Sequence, residues 1–276
     1  MTTQTESTRP SAHEINDRVL KNGTDELGRP PQALAISGLF AGFTLGATPL
    51  VVAFVSVLLG GGDSATFVAS LFYPIGFIAV ILGRSQLFTE NTLYPVVATF
   101  DNPRRVSDTA KLWATVLVAN SIGAFVFALA AVKTGALPND VVSQMVQLGD
   151  EAVFGSFWRN FWSAVLGGWL LATVAWLVEA TATAVGQVLV IWALVFVVGV
   201  AALDHTVSTA IQVEVALLEG ELGVGNWLGW LGTTVLGNAL GGVIIVSLFN
   251  YGQVRTPRRK SRPEQDSAGG AGPVGQ

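Results

Sequence analysis

Apolar residues run along this chain in six long blocks, at about 33–60, 65–99, 109–133, 158–178, 184–218 and 226–251, separated by short polar stretches. About 20 mostly apolar residues cross the roughly 30 Å hydrocarbon layer of a bilayer as a helix. Each block therefore predicts a membrane span, and the whole an all-α integral membrane protein. The second and fifth blocks are too long for one straight span and carry polar interruptions, GRSQLFTENT at 83–92 and LDHTVST at 203–209. A helix broken at membrane depth frees backbone N–H and C=O groups, which persist there only where protein or a water-filled cavity satisfies them. The second and fifth spans are expected to be broken helices whose interruptions mark a pathway.

The interruptions are related. ANSIGAFVF (119–127) in the third span and GNALGGVII (237–245) in the sixth share Asn-x-x-Gly at one offset, since 238 − 120 and 241 − 123 are both 118. The same offset carries Leu87 in the first interruption onto His205 in the second. Two halves of three spans each are implied. Three is odd, so the second half enters the membrane upside down, and inverted repeats with paired broken helices are the arrangement of a transport pathway. Gly38, Gly42, Gly167, Gly168, Gly237, Gly241 and Gly242 allow close helix approach in such a bundle. Trp227, Trp230 and Tyr251, near the two ends of the sixth span, fit interfacial anchoring.

Composition agrees: of 276 residues, 51% are hydrophobic and only 12% charged, about half the charge of an ordinary soluble domain. The net charge of −4 asks for no nucleic-acid partner; the basic residues are placed where they orient the chain. With both ends cytoplasmic, Arg104, Arg105, Lys111 and the tail's Arg255, Arg258, Arg259, Lys260 and Arg262 lie inside, while Asp63, Lys133, Asp140, Asp150, Glu151, Glu219 and Glu221 lie outside. That partition obeys the positive-inside rule. Residues 1–32 are polar and lack a signal peptide's apolar core. They read as a cytoplasmic segment before a six-span domain at 33–251, followed by a basic, then Gly/Pro/Ser-rich tail at 252–276 that cannot bury a core. The expected location is the plasma or inner membrane, with lipid around a multi-pass protein.

The chain has no cysteine and two histidines, so thiolate sites are excluded and a metal site lacks ligands. No phosphate loop or serine-nucleophile elbow is present, and neither an enzyme nor a cofactor is expected. Asp204 and His205 stand side by side in apolar sequence, where an ionisable group costs roughly 2.5 kcal/mol or more unless it faces a cavity or a partner. His205, the one histidine in the membrane region, either transfers a proton to a weak-acid anion or makes a neutral helix contact. At the first interruption the following half-helix offers N–H donors to an anion, with the Thr89 hydroxyl beside them. Tyr73 and Phe77, four residues apart on one helical face, form apolar constrictions with Leu87 and Phe88 or serve as packing aromatics. Arg84 and Glu90 are expected to pair or to cap the half-helices.

At these residues the chain resembles the formate/nitrite transporter family. GRSQLFTEN (83–91) is similar to that family's Gly-x-Asp/Glu-Leu-Phe-Thr-x-Asn loop, LDHTVSTA (203–210) to its fifth-span histidine break, and GNALGG (237–242) to its sixth-span Gly-Asn-x-x-Gly-Gly. The resemblance implies an aquaporin-like protomer, a homopentamer with a pore in each subunit, and passage of small monovalent anions with a proton delivered near the histidine. It implies a polar triad of Thr89, His205 and Asn238, with Leu87 and Phe88 in the gating loop and Asn91 along the substrate pathway. This chain departs from the pattern at Gln86 and Arg84 in that loop, at Gly168 where the family has an asparagine, and at Ala152, beside Glu151, where it often has a lysine. The expected function is a channel or proton-linked transporter for formate, nitrite or a similar weak acid. Alternatives are a water or neutral-solute channel and a non-conducting structural or regulatory membrane protein.

Overall fold

The computed structural model describes residues 9–255; the tail beyond Arg255 lies outside the described residues. In chain order the helices are α1 (Ala12–Leu27), α2 (Pro31–Thr44), α3 (Ala47–Leu58), α4 (Asp63–Ser70), α5 (Ile75–Leu82), α6 (Tyr94–Asp101), α7 (Val106–Lys133), α8 (Asn139–Val153), α9 (Phe157–Ala180), α10 (Ala184–Val200), α11 (Ser208–Glu219), α12 (Val224–Leu240) and α13 (Phe249–Arg255), with a π-helical stretch at Gly241–Leu248 joining the last two. No strand occurs among the described residues. Five helical stretches are long and apolar enough to cross a membrane: Pro31–Leu58, Asp63–Leu82, Pro103–Lys133, Phe157–Ala180 and Val224–Arg255. The fifth predicted span divides into α10, apolar but only 17 residues long, and the 12-residue α11.

The second and fifth spans are broken where the polar interruptions predict. Residues 83–89 and 201–207 leave the helix with the same succession of two turn residues, three irregular residues and two turn residues. Each break begins with a non-glycine residue in the left-handed region, Arg84 at φ 52° and Ala202 at φ 47°, a conformation costing an L-residue roughly 1–2 kcal/mol. The two positions are 118 apart (202 − 84), like the two asparagines. After the first break a short 3₁₀ turn leads into α6; after the second, α11 starts at once.

Close helix contacts hold the breaks. Gly42 on α2 lies against the backbone of Asn120 on α7, and Gly168 on α9 against that of Asn238 on α12. At both positions a Cβ would collide with the facing backbone. Gly168, where the family's asparagine was expected, therefore has no room for a side chain.

Two elements are absent from the predicted spans. Residues 12–27, read from sequence as part of a polar tail, form α1, which starts in a capping box: the Ser11 hydroxyl accepts from the Glu14 N–H at 3.3 Å, and the Glu14 carboxylate accepts from the Ser11 N–H at 2.7 Å. It buries Ile15, Asn16, Val19 and Gly23 against α6 and α9. α8 packs on α11 and α3. The interfacial role expected of Trp230 does not hold: only 3% of it is exposed, and its indole N–H donates to the Asp204 carboxylate at 3.3 Å. Tyr251 donates its hydroxyl to the Phe100 carbonyl at 3.0 Å.

Candidate functional site

The two breaks meet at one hydrogen bond, between Thr89 Oγ1 and His205 Nε2 at 3.0 Å. Both residues are fully buried. Leaving the helix frees the N–H groups that begin α11, and the His205 ring takes two of them: its Nδ1 accepts from the backbone N–H of Val207 at 3.3 Å and of Ser208 at 3.1 Å. The Ser208 hydroxyl lies 3.2 Å from the same nitrogen, and the Tyr73 hydroxyl 2.9 Å from the Ser208 oxygen. The backbone N–H of His205 donates to the Thr209 hydroxyl at 3.0 Å. Phe77 meets the imidazole edge-on, with ring centroids 5.0 Å apart, and Tyr73 stacks on Phe77.

A buried asparagine braces each break. Asn120 accepts from the Phe88 N–H and donates to the carbonyls of Gly38 and Gln86, all at 2.9 Å. Asn238 accepts from the N–H and the hydroxyl of Thr206 at 2.9 and 2.7 Å, and donates to the carbonyls of Ala164 and Asp204 at 2.6 and 3.0 Å. Phe88 and Thr206, like Gln86 and Asp204, are 118 residues apart. Every polar atom of Asn238 is thus engaged, and its bonds run to the backbone and Thr206. Of the triad expected from the resemblance, the structure brings Thr89 and His205 into contact, while Asn238 bonds Asp204 and Thr206 on either side of the histidine.

Cavities open at both ends of this contact. One of about 300 Å³ is lined by Tyr73, Asp204 and Thr209 together with Glu151, Ala152 and Arg159. A smaller one of about 90 Å³ is lined by Leu87, Glu90 and Asn91 of the first break, with Glu26, Arg84 and Glu179. Arg159 and Glu179, one in each lining, lie 20 residues apart on α9, about 30 Å along the helix axis at 1.5 Å per residue. Between the two cavities Phe77, Leu87, Thr89 and His205 are 0–1% exposed, so no opening joins them through this contact.

Two expected roles change. Phe88 turns its ring to Trp113, centroids 5.6 Å apart, among Leu34, Leu112 and Val116, whereas Leu87 and Phe77 pack together in a separate core cluster. Arg84 and Glu90 both line the smaller cavity, but no ion pair joins them among the described residues. Sequence reasoning missed two contributors. Arg159 brings the one basic side chain in the larger cavity's lining, next to Ala152, where the lysine of the family pattern is absent. Gln86, in place of the family's acid, donates to the Glu26 carboxylate at 2.6 Å and accepts from Asn91 at 3.0 Å. Gln86→Glu sets two carboxylates against each other and is expected to destabilise the protein by about 1–3 kcal/mol. Adding Glu26→Gln restores a donor and should recover most of the loss, as thermal unfolding of the single and double variants will test.

Comparison with known proteins agrees with this arrangement. The family model described as "Formate/nitrite transporter" matches residues 13–252. The chain is 28% identical to the inner membrane protein YfdC of Escherichia coli (strain K12) over 254 residues, covering 90% of this chain and 80% of that one. It is 27% identical to a probable formate transporter of Methanothermobacter thermautotrophicus, covering 71% of this chain and 80% of that one. Among solved structures, an FNT family ion channel matches with a TM-score of 0.77 at 17% identity, over 87% of this chain and 98% of that one. A pentameric formate channel with formate bound matches with a TM-score of 0.64 at 15% identity, over 84% and 97%. With apolar membrane-crossing helices, paired breaks and a family match over nearly all of the described residues, this multi-pass membrane protein belongs to the formate/nitrite transporter family, whose members are transporters and channels and not enzymes.

Proposed function

We propose that the chain carries small monovalent weak-acid anions, such as formate or nitrite, across the membrane in step with a proton handled by His205. The observation that carries this reading is the Thr89–His205 contact, a fully buried pair of hydrogen-bonding side chains between two cavities. The character of the cavities supports the proton linkage. The larger one offers Arg159 to an arriving anion beside two acidic side chains, Glu151 and Asp204, whereas the smaller sets three, Glu26, Glu90 and Glu179, against Arg84. Like charges near a surface repel by up to roughly 4 kcal/mol at 4 Å. A substrate protonated at His205 would leave through that chamber as a neutral acid and avoid the penalty.

The architecture belongs to the same proposal. The matching left-handed residues, the matching asparagine braces, and the packing of α1 on α6 as α8 packs on α11 support two inverted three-span halves with an aquaporin-like plan. The positive-inside distribution supports cytoplasmic termini, which places the smaller cavity inside and the larger outside. The solved pentameric formate channel supports a homopentamer with one pathway per subunit.

Proteoliposome flux tests the function. Formate or nitrite uptake should be driven by an imposed proton gradient, and His205→Asn, which keeps polarity but removes titration, should lower that uptake by about 10-fold or more. Uptake in His205→Asn with an unchanged pH profile would overturn the reading. Flux that ignores both pH and potential would identify a neutral-solute channel, and absence of flux in the parent protein a non-conducting one.

A further inference from the structure

His205 faces a chemical constraint that its surroundings answer. A backbone N–H only donates, so the Val207 and Ser208 amides aimed at Nδ1 mean that this nitrogen carries a lone pair. The neutral ring then holds its single proton on Nε2 and donates it to Thr89 Oγ1. A neutral imidazole that gave this proton to an anion would be left as imidazolate unless Nδ1 gained a proton in the same event. Amide N–H groups do not supply one. The Ser208 hydroxyl, 3.2 Å from Nδ1, is the remaining donor there, and Tyr73, 2.9 Å behind it, lines the larger cavity.

We propose that Tyr73 and Ser208 form a hydrogen-bonded relay that connects His205 Nδ1 to the larger cavity and replaces the proton given to the substrate. This rests on the reading of His205 as the proton donor. As the Nε2–H bond breaks and an O–H bond forms on the acid, the Ser208 proton passes to Nδ1, the Tyr73 proton passes to Ser208, and a hydronium ion in the cavity delivers one proton to Tyr73, leaving water. No electrons are transferred, and the net change is one proton moved from cavity to substrate. The ring is then left neutral, with its proton on Nδ1.

The relay is built into the packing. Gly199 on α10 leaves the space the Tyr73 ring occupies, since a Cβ there would approach the ring within 2.7 Å. Tyr73 and Ser208 are 135 residues apart in sequence and come from different broken spans. Other titratable or charged groups on the surrounding elements are Asp204, Arg159, Glu151, Glu90 and Glu214, and none of these is hydrogen-bonded to the His205 ring. Changing Tyr73 or Ser208 leaves all five in place.

The test uses Tyr73→Phe, Ser208→Ala and the hydroxyl-retaining Ser208→Thr, with His205→Asn in the same series. Tyr73→Phe and Ser208→Ala should each lower proton-driven formate uptake in proteoliposomes by about 10-fold and flatten its pH profile, while Ser208→Thr should retain both. Nitrogen NMR of imidazole-labelled protein isolates His205 once His13→Gln removes the chain's other histidine. It should report a bare Nδ1 in the parent and in both relay variants, because the backbone amides remain, and this identifies the flux loss as a relay effect rather than a misfolded site. Parent-like uptake and pH profile in Tyr73→Phe and Ser208→Ala would overturn the relay, as would a proton found on Nδ1 in the parent. If His205→Asn loses coupled uptake while those two variants keep it, the relay falls alone; if His205→Asn keeps it, the proposed function falls as well.

Discussion

Asn120→Asp and Asn238→Asp should each abolish recovery of folded protein, and to a similar degree. Both side chains are fully buried. In each, the amide nitrogen serves two backbone carbonyls and the amide oxygen accepts the N–H of the residue two beyond one of those carbonyls, in the middle of the break. An aspartate of the same shape has no N–H. If ionised it sets a carboxylate against both carbonyls, and if protonated it satisfies one at most. Each buried polar group left unpaired costs about 1–3 kcal/mol, and burying a charge without a partner costs more. Against a total stability of roughly 5–15 kcal/mol, one such change consumes much of the margin. Thr89→Val, which removes a single hydroxyl with one side-chain partner, should fold. The measurement is the monodisperse yield and thermal unfolding of the three proteins in one detergent. A well-folded Asn120→Asp beside a failed Asn238→Asp would show that the two braces are not equivalent and would count against the inverted repeat.

Those asparagines also mark the limit of what the sequence made legible. The 118-residue offset emerges from them because the break and the segment from its end to the start of α7 or α12 are equally long in both halves, although one segment begins with a 3₁₀ turn and the 8-residue α6 and the other with the 12-residue α11. Earlier elements escape that register: Gly38 and Ala164, the carbonyl partners of the two asparagines, are 126 apart (164 − 38), because eight more residues separate Gly38 from Gln86 than Ala164 from Asp204. The breaks themselves were readable because polar residues interrupting an apolar run have few explanations. α1 was not read as a packed element because its buried stripe of Ile15, Val19 and Gly23 is thin amid charged residues, although Ser11 and Glu14 carried a capping signature. Trp230 carried no signal at all: a tryptophan near the start of a span suggests an interface, and only the tertiary fold turns its N–H to Asp204. The Tyr73–Ser208 and Gln86–Glu26 contacts likewise join residues 135 and 60 apart, a distance no local pattern spans.

Gly168→Ala should be nearly as damaging as loss of the asparagine, although it adds one methyl group. A Cβ at 168 would stand 2.5 Å from the Asn238 Cα and closer still to its carbonyl oxygen. The obstacle is backbone, so no rotamer change relieves it; α9 and α12 must move apart. Clearing the Asn238 carbonyl oxygen takes about 1 Å of separation, which would stretch the Asn238 bond to the Ala164 carbonyl, now 2.6 Å between these same two helices, past hydrogen-bonding distance. Overpacking of a buried contact costs roughly 1–3 kcal/mol, and weakening the brace adds to it, so a loss of about 3 kcal/mol or more is expected. Gly42→Ala should behave alike, because its Cβ would meet the Asn120 carbonyl between α2 and α7. Gly229→Ala on α12 is the control. Nothing lies within 4 Å of a Cβ there, and in the monomer alanine should gain up to about 1 kcal/mol in helix propensity. Unfolding in detergent with simultaneous measurement of mass separates the cases: Gly168→Ala should lose folded subunits, whereas any defect of Gly229→Ala should appear only as lost assembly. A Gly168→Ala protein as stable as its parent would mean that the α9–α12 contact is looser than this packing requires, and that Asn238 does not hold the histidine break in place.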